Sequence, residues 1–240
     1  EPGQIIGVTG TVACGKSTLG KTFLCEYPYE GSIKFGGKEL RDMENAVQTG
    51  VIGYLGHDPE LFDDSIKNNV LFGDEADVDT YLKAVCFDEE AESMEEGVDT
   101  IVGNSGVRLS GGQAQRLALA RTLCHKKPVL ILDDPFSALD RKTEEQVFQN
   151  LKALAKDSIV LILSHRLYLF PEMNQVIWME DGKAAVGTHE SIKKAYPEYA
   201  KLYEVQANAE ASARVNAEAG EQTNTEAGTE VEHGEGGKAD

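Results

Sequence analysis

The chain has 240 residues, with 23 Lys plus Arg against 41 Asp plus Glu, for a formal net charge of −18. That balance argues against the basic face with which proteins neutralise nucleic-acid phosphates or anionic lipid headgroups. A hydrophobic share of 41% supports a packed core, and no apolar run approaches the roughly 20 residues that a membrane-spanning helix needs.

The opening Glu1-Pro2-Gly3 carries no initiator Met and no leader, and reads as the continuation of a longer chain. Ile5-Ile6-Gly7-Val8 predicts a short buried strand that runs into a Gly-rich turn, with a helix from Gly15 to about Cys25. Ser32–Phe35 alternates and is followed by Gly36-Gly37 and Lys38-Glu39-Leu40, which predicts a hairpin. Val51–Leu55 is a further strand. From Asp77 to about Ser93 the period turns helical, with Val78, Tyr81, Leu82 and Val85 on one face. A helix beginning at Ser110 carries Leu117, Ala118, Leu119 and Leu123, and the apolar strand Val129–Leu132 follows. A helix from Thr143 turns Val147, Phe148, Leu151 and Leu154 inward, and Ile159–Leu163 is the next buried strand. Apolar strands alternating with amphipathic helices predict an α/β fold around a largely parallel sheet.

From Gln206 onward the composition changes to eight acidic and two basic residues, with no aromatic residue, no Leu and no Ile. Such a segment lacks the apolar surface to offset its ordering entropy. Residues 1–205 are therefore expected to form one globular unit and 206–240 a disordered acidic tail, in which Ala207–Ala219 forms a frayed helix. The four cysteines, Cys14, Cys25, Cys86 and Cys124, form no CxxC pair. Free thiols in a reducing compartment are expected, not a disulfide framework or a zinc site.

Gly10-Thr11-Val12-Ala13-Cys14-Gly15-Lys16-Ser17 fits G-x-x-x-x-G-K-[ST] between a strand and a helix. The glycines let backbone N–H groups wrap a phosphate, and the helix N-terminus adds its partial positive charge. Lys16 can then reach terminal phosphate oxygens, and the Ser17 hydroxyl can ligate Mg²⁺. A second apolar strand, Val129-Leu130-Ile131-Leu132, ends in Asp133-Asp134. A carboxylate at that tip is where phosphate-loop enzymes hold Mg²⁺, so Asp133 is the expected metal partner.

Between these two motifs stands Leu109-Ser110-Gly111-Gly112-Gln113, followed by Ala-Gln-Arg-Leu-Ala-Leu-Ala-Arg. This run resembles the signature motif of the ATP-binding-cassette (ABC) ATPases, in family order. Ser137-Ala138-Leu139-Asp140 resembles the family's D-loop, and His165 its switch histidine. Two segments are similar to the exporter branch. Asp58–Phe62 with Ser65–Gly73 resembles the stretch after the Q-loop, and Thr100–Gly106 resembles the X-loop. Pro197-Glu198-Tyr199, Leu202-Tyr203 and Gln206 resemble the exporter C-terminal helix.

The resemblance implies a P-loop NTPase fold with a mainly parallel sheet core, a small antiparallel β part and an α-helical subdomain. It implies ATP and Mg²⁺ as cofactors. Gly10, Thr11, Val12, Ala13, Cys14, Gly15, Lys16, Ser17 and Thr18 then hold the nucleotide, and Ser110, Gly111, Gly112 and Gln113 meet the nucleotide of a second cassette. Asp134, His165 and His57 are the implied catalytic residues, and Ser17, Asp133 and His57 the metal partners. Implied partners are a second nucleotide-binding domain and exporter transmembrane domains at the cytoplasmic face of the cell membrane; no nucleic acid is expected. A soluble nucleotide-gated ABC module and an importer ATPase subunit are the alternatives.

Four positions depart from the family pattern. His57 stands for the Q-loop Gln, Asp134 for the Glu that polarises the attacking water, Asn104 for the X-loop Glu, and Ala13 for a phosphate-loop Gly. The departures at Ala13, His57 and Asp134 fall on the phosphate-loop side, whereas Leu109–Gln113 is unaltered. This asymmetry implies slow hydrolysis at the chain's own site and a heterodimer with a complementary partner.

Overall fold

The computed structural model describes residues 1–43 and 50–209. The chain opens with β1 (Ile5–Gly10) and α1 (Lys16–Phe23), then a hairpin of β2 (Lys34–Phe35) and β3 (Lys38–Glu39), then β4 (Ile52–Leu55). A mostly helical section follows, with β5 (Asp64–Ser65), α2 (Ile66–Leu71), α3 (Val78–Ala84), α4 (Asp88–Glu92), β6 (Ile101–Val102) and α5 (Gly111–Cys124). The last part carries β7 (Val129–Asp133), α6 (Arg141–Leu154), β8 (Ile159–Leu163), β9 (Gln175–Glu180), β10 (Lys183–Gly187) and α7 (His189–Ala195). Helix α8 covers residues 197–209.

Six strands form one sheet in the order β10-β9-β1-β8-β7-β4. All neighbours are parallel except β10, which returns antiparallel along β9. The α/β class with a mainly parallel core is thus as the sequence predicts. Both faces are covered, which is why the strands read as continuous apolar runs. Leu19 and Phe23 of α1 pack with Val8, Ile131 and Leu163 on one face. On the other, Leu117, Leu119, Phe148 and Leu151 of α5 and α6 pack with Leu130, Leu132, Val160 and Ile162. Each fully buried side chain among them, such as Leu117 or Phe148, contributes about 1.5–3 kcal/mol of burial.

The hairpin forms as expected: Gly36 and Gly37 both take positive φ, at 57° and 82°, which matches the twist of the flanking strands. Glu39 fastens it. The Ser32 hydroxyl donates to the Glu39 carboxylate at 2.6 Å and the Ile33 N–H at 2.9 Å. These bonds, Ser32 first, hold the carboxyl down to about 2.

Three elements differ from the sequence pattern. The single helix expected over 77–93 is two, because Cys86 turns left-handed at φ 53°. The turn is held by Arg116, which donates to the Cys86 carbonyl and lies 5.3 Å over the buried Phe87 ring. Helix α6 starts at Arg141 and not at Thr143, since Asp140 caps it by accepting from the Thr143 N–H at 3.1 Å. Helix α8 runs through residue 209, past the boundary expected at 205. The acidic stretch beyond it, with most of the helix expected over 207–219, lies outside the described residues.

Helix α8 is anchored by His189 at the start of α7. The buried Tyr199 lies with its hydroxyl 2.7 Å from His189 Nδ1, and Tyr203 stacks edge-on at 4.6 Å. Burial lowers the His189 pKa below its ordinary value. The unfolded chain therefore binds the proton more tightly, and stability falls as pH drops below about 6.5. The melting temperature should drop between pH 7.5 and 5.5, and the drop should shrink in His189→Phe. An equal drop in both proteins would place the titration elsewhere.

Candidate nucleotide site

Four parallel strands deliver their carboxyl ends to one edge of the sheet. In register, Val8 of β1 and Asp133 of β7 both pair with Leu163 of β8, and Leu55 of β4 pairs with Leu132. The phosphate loop, Asp133-Asp134, Ser164-His165 and Gly56-His57 therefore leave the sheet side by side. Open α/β sheets bind ligands at this edge.

The phosphate loop is built for close approach. Gly10 touches the backbone of Met179 and the Cys14 sulfur so closely that a Cβ would not fit. Gly15 sits at φ 93° as the first cap of α1, and no side chain caps that helix. By contrast, Ser65, Asp77, Ser110, Asp140 and Thr188 cap later helices with their own oxygens. The first N–H groups of α1 are thus left open to an anion. Lys16 is buried, with its ammonium 3.3 Å from His165 Nδ1 and 4.0 Å from the Cys14 sulfur. An ammonium only donates, so in this contact Nδ1 is the acceptor. The loop motif and His165 meet across 149 residues of sequence. Ser17 and Thr18 are exposed, as are Val12 and Ala13.

Ala13 takes φ 60°, a conformation that costs a residue with a Cβ about 1–2 kcal/mol. Ala13→Gly removes that strain and returns about 0.4–1 kcal/mol of it through the freer unfolded chain. A net gain of about 0.5–1 kcal/mol should raise the melting temperature by about 1–4 °C. No rise would mean that the loop relaxes around the methyl group.

Asp133 is buried and accepts from the Tyr54 hydroxyl at 3.3 Å. Burial, then the Asp133 charge, pushes the Tyr54 phenol up to about 12, so it stays a donor. Tyr54 is a residue that motif reading passes over. Its pairing opposite Ile131 places it on the sheet face of Asp133, and only that register reveals it. Asp134 stands at φ 47°, with Oδ1 3.4 Å from the His165 N–H. Asp tolerates the left-handed region better than most residues. His57 is exposed, two residues beyond the end of β4.

The signature segment is held by a capping box at the start of α5. The Gln113 N–H donates to the Ser110 hydroxyl oxygen at 3.3 Å, and the Ser110 N–H donates to Gln113 Oε1 at 2.8 Å. The other end of the Gln113 amide donates to Glu90 at 2.8 Å, and Glu90 also pairs with Arg116 at 2.6 Å. Gln113, expected to touch nucleotide, here has its side chain committed to holding the loop. The Ser110 hydroxyl keeps its proton to offer. Gly112 packs against the Ala138 carbonyl so tightly that a Cβ would not fit, whereas a Cβ on Gly111 would meet nothing. The signature thus leans on the D-loop of its own chain and leaves Gly111 open.

The X-loop-like segment is tied down by Asp63, whose carboxylate accepts from the Asn104 N–H, the Ser105 N–H and the Ser105 hydroxyl. The Ser105 bond leads in holding this carboxyl below its usual range. Arg166, beside His165, donates to the Ser137 and Leu139 carbonyls at 2.8 and 3.0 Å and to the buried Glu144 at 2.7 Å. Glu90, Arg166 and Glu144 carry no motif of their own, because their partners lie 22 to 29 residues away.

The family model described as "ABC transporter" matches residues 1–137. The chain is 35% identical over 210 residues to a probable multidrug resistance ABC transporter ATP-binding/permease protein, YheI, of Bacillus subtilis (strain 168), covering 85% of this chain and 36% of the relative. It is 33% identical over 213 residues to an ATP-dependent lipid A-core flippase of Thiobacillus denitrificans, covering 85% and 37%. Among solved structures, a bacterial Atm1-family ABC exporter with ATP bound superposes with a TM-score of 0.79 at 29% identity, covering 85% of this chain and 37% of that one. The chain therefore spans little more than a third of these relatives. Among the described residues, no helix is long and apolar enough to cross a membrane. With a six-stranded sheet, phosphate loop and signature segment arranged as above, this chain belongs to the ABC transporter family.

Proposed function

We propose that this chain binds MgATP at its phosphate loop and drives an exporter by closing, with each nucleotide, onto a second cassette. The observation that carries the reading is the convergence of Lys16, His165, Asp133 and Asp134 at the carboxyl edge of the sheet. The site fits the group: no side chain caps α1, so its first N–H groups and the Lys16 ammonium can meet phosphate oxygens, and Asp133 is a buried carboxylate on the same edge of the sheet. Among the described residues no cluster of three or more His, Cys, Asp or Glu forms a cage. Mg²⁺ suits such a site, because it uses one or two carboxylates together with substrate phosphates.

Ser17 and Asp133 are the residues to hold the ion, which when bound neutralises phosphate charge. The open N–H groups of α1 and the Lys16 ammonium orient the phosphates, and the same ammonium swings between His165 and an anion. Asp134 stands beside the switch loop as the base for water, and Ser110, Gly111 and Gly112 present an anion site toward the second cassette. The acidic segment after residue 209 takes no part in this reading.

The test is equilibrium binding of MgATP to the chain and to Lys16→Ala. Loss of a charge-assisted contact costs roughly 1.5–3 kcal/mol, so affinity should fall at least about tenfold. Equal affinity would overturn the reading.

A further inference from the structure

Helix α8 reaches back to the switch loop through one side chain. Gln206 Nε2 donates to the His165 carbonyl at 2.8 Å, and Gln206 Oε1 accepts from the Leu167 N–H at 2.8 Å. One carboxamide thus grips the backbone on both sides of Arg166. We propose that Gln206 is a positioning residue for the switch histidine, acting through the backbone of residues 165–167. The proposal rests on the functional reading above.

Two bonds from one planar amide set both the distance and the orientation of the loop, which a single bond would not. The remaining sides of the loop are fixed independently. His165 N–H faces Asp134, and Arg166 is bound to the D-loop carbonyls and to Glu144. Helix α8 is itself held by the fully buried Tyr199 against His189 and Trp178. Gln206 is therefore the third support of a loop whose ring meets Lys16. Only a carboxamide of this length donates to one backbone group and accepts from the other. A carboxylate keeps the bond from Leu167 and sets an oxygen against the His165 carbonyl. An alanine leaves both groups to water, which satisfies them without fixing them. A carboxamide shortened by one methylene, in Gln206→Asn, falls short of the loop.

The experiment has two arms. In the nucleotide-free chain with ¹³C-labelled histidine, the His165 ring resonance is assigned by its loss in His165→Ala. It should shift or broaden in Gln206→Glu and Gln206→Ala, while His57 and His125 stay in place. In the full-length transporter, each variant should lower turnover at the chain's own phosphate-loop site about three- to tenfold with KM for ATP at that site nearly unchanged, because a displacement well under the roughly 1 Å that costs 10²-fold is involved. Added to His165→Ala, the same changes should cost nothing more. An unmoved His165 resonance overturns the proposal. So does an equal further loss of turnover on the His165→Ala background, which marks a purely structural role. The resonance arm uses no nucleotide. A chain that fails to bind MgATP would thus undo the functional reading, while the clamp would still be judged by the resonance.

Discussion

Asp134→Glu raises ATP turnover at the chain's own phosphate-loop site by about 10- to 100-fold, since a base misplaced by about 1 Å can cost 10²-fold. Asp134 is the residue where the family carries a Glu to polarise water, and its side chain is one methylene shorter. Its carboxylate lies 3.4 Å from the His165 N–H, on the short path to the switch loop. A general base acts over about 2.6–3.2 Å, so the missing methylene translates directly into lost proton transfer. Lys16, Ser17 and Asp133 do not change, so affinity for MgATP should stay within about twofold. Stability should move the other way. The position stands at φ 47°, where Asp is tolerated better than Glu, so the variant should melt slightly lower. Faster turnover from a less stable protein separates a catalytic gain from a general tightening. Unchanged turnover would place the limit at His57 or at the second site.

Gly111→Asp abolishes most turnover, whereas Lys16→Ala in the same chain spares a substantial part of it. That pair of results is expected if the natural partner is a different chain with an unaltered phosphate loop. On the function proposed above, each composite site would join one chain's phosphate loop to the other's signature. Here the deviations fall on Ala13, His57 and Asp134, and the signature is unaltered. The chain's signature then serves the fast site, and its own phosphate loop the slow one. Gly111 is the better position for the test, because a Cβ there meets nothing and the capping box of Ser110 and Gln113 is left in place. An acidic side chain in the first turn also suits the helix dipole, yet it repels a phosphate. Ser110→Arg should act in the same direction, at about 1 kcal/mol of lost capping. Equal loss from Gly111→Asp and Lys16→Ala would establish two equivalent sites and remove the heterodimer.

Motif residues were legible in the sequence wherever the chemistry is carried by contiguous backbone. The phosphate loop needs Gly10 for close approach, Gly15 for its left-handed turn and Lys16 at a set offset, and all three constraints act within eight residues. The capping box of Ser110 and Gln113 acts within four. The strands β1, β7 and β8 were legible too, because a sheet covered on both faces writes itself as unbroken apolar runs. Strands β9 and β10 went unread, although Asp181-Gly182 between them, at φ 49° and 70°, carries the tight hairpin signal.

What only the tertiary structure decided is which distant groups share a hydrogen bond. Tyr54 reaches Asp133 through the β4–β7 register, 79 residues apart. Gln206 reaches His165 across 41 residues, and Arg116 reaches the turn at Cys86 across 30, splitting one expected helix into two. A polar side chain at the end of an element looks the same in sequence whether it faces water or a neighbour's backbone. The difference is made when the sheet closes and buried donors and acceptors must be paired, and that requirement belongs to the packed fold and not to any local run of residues.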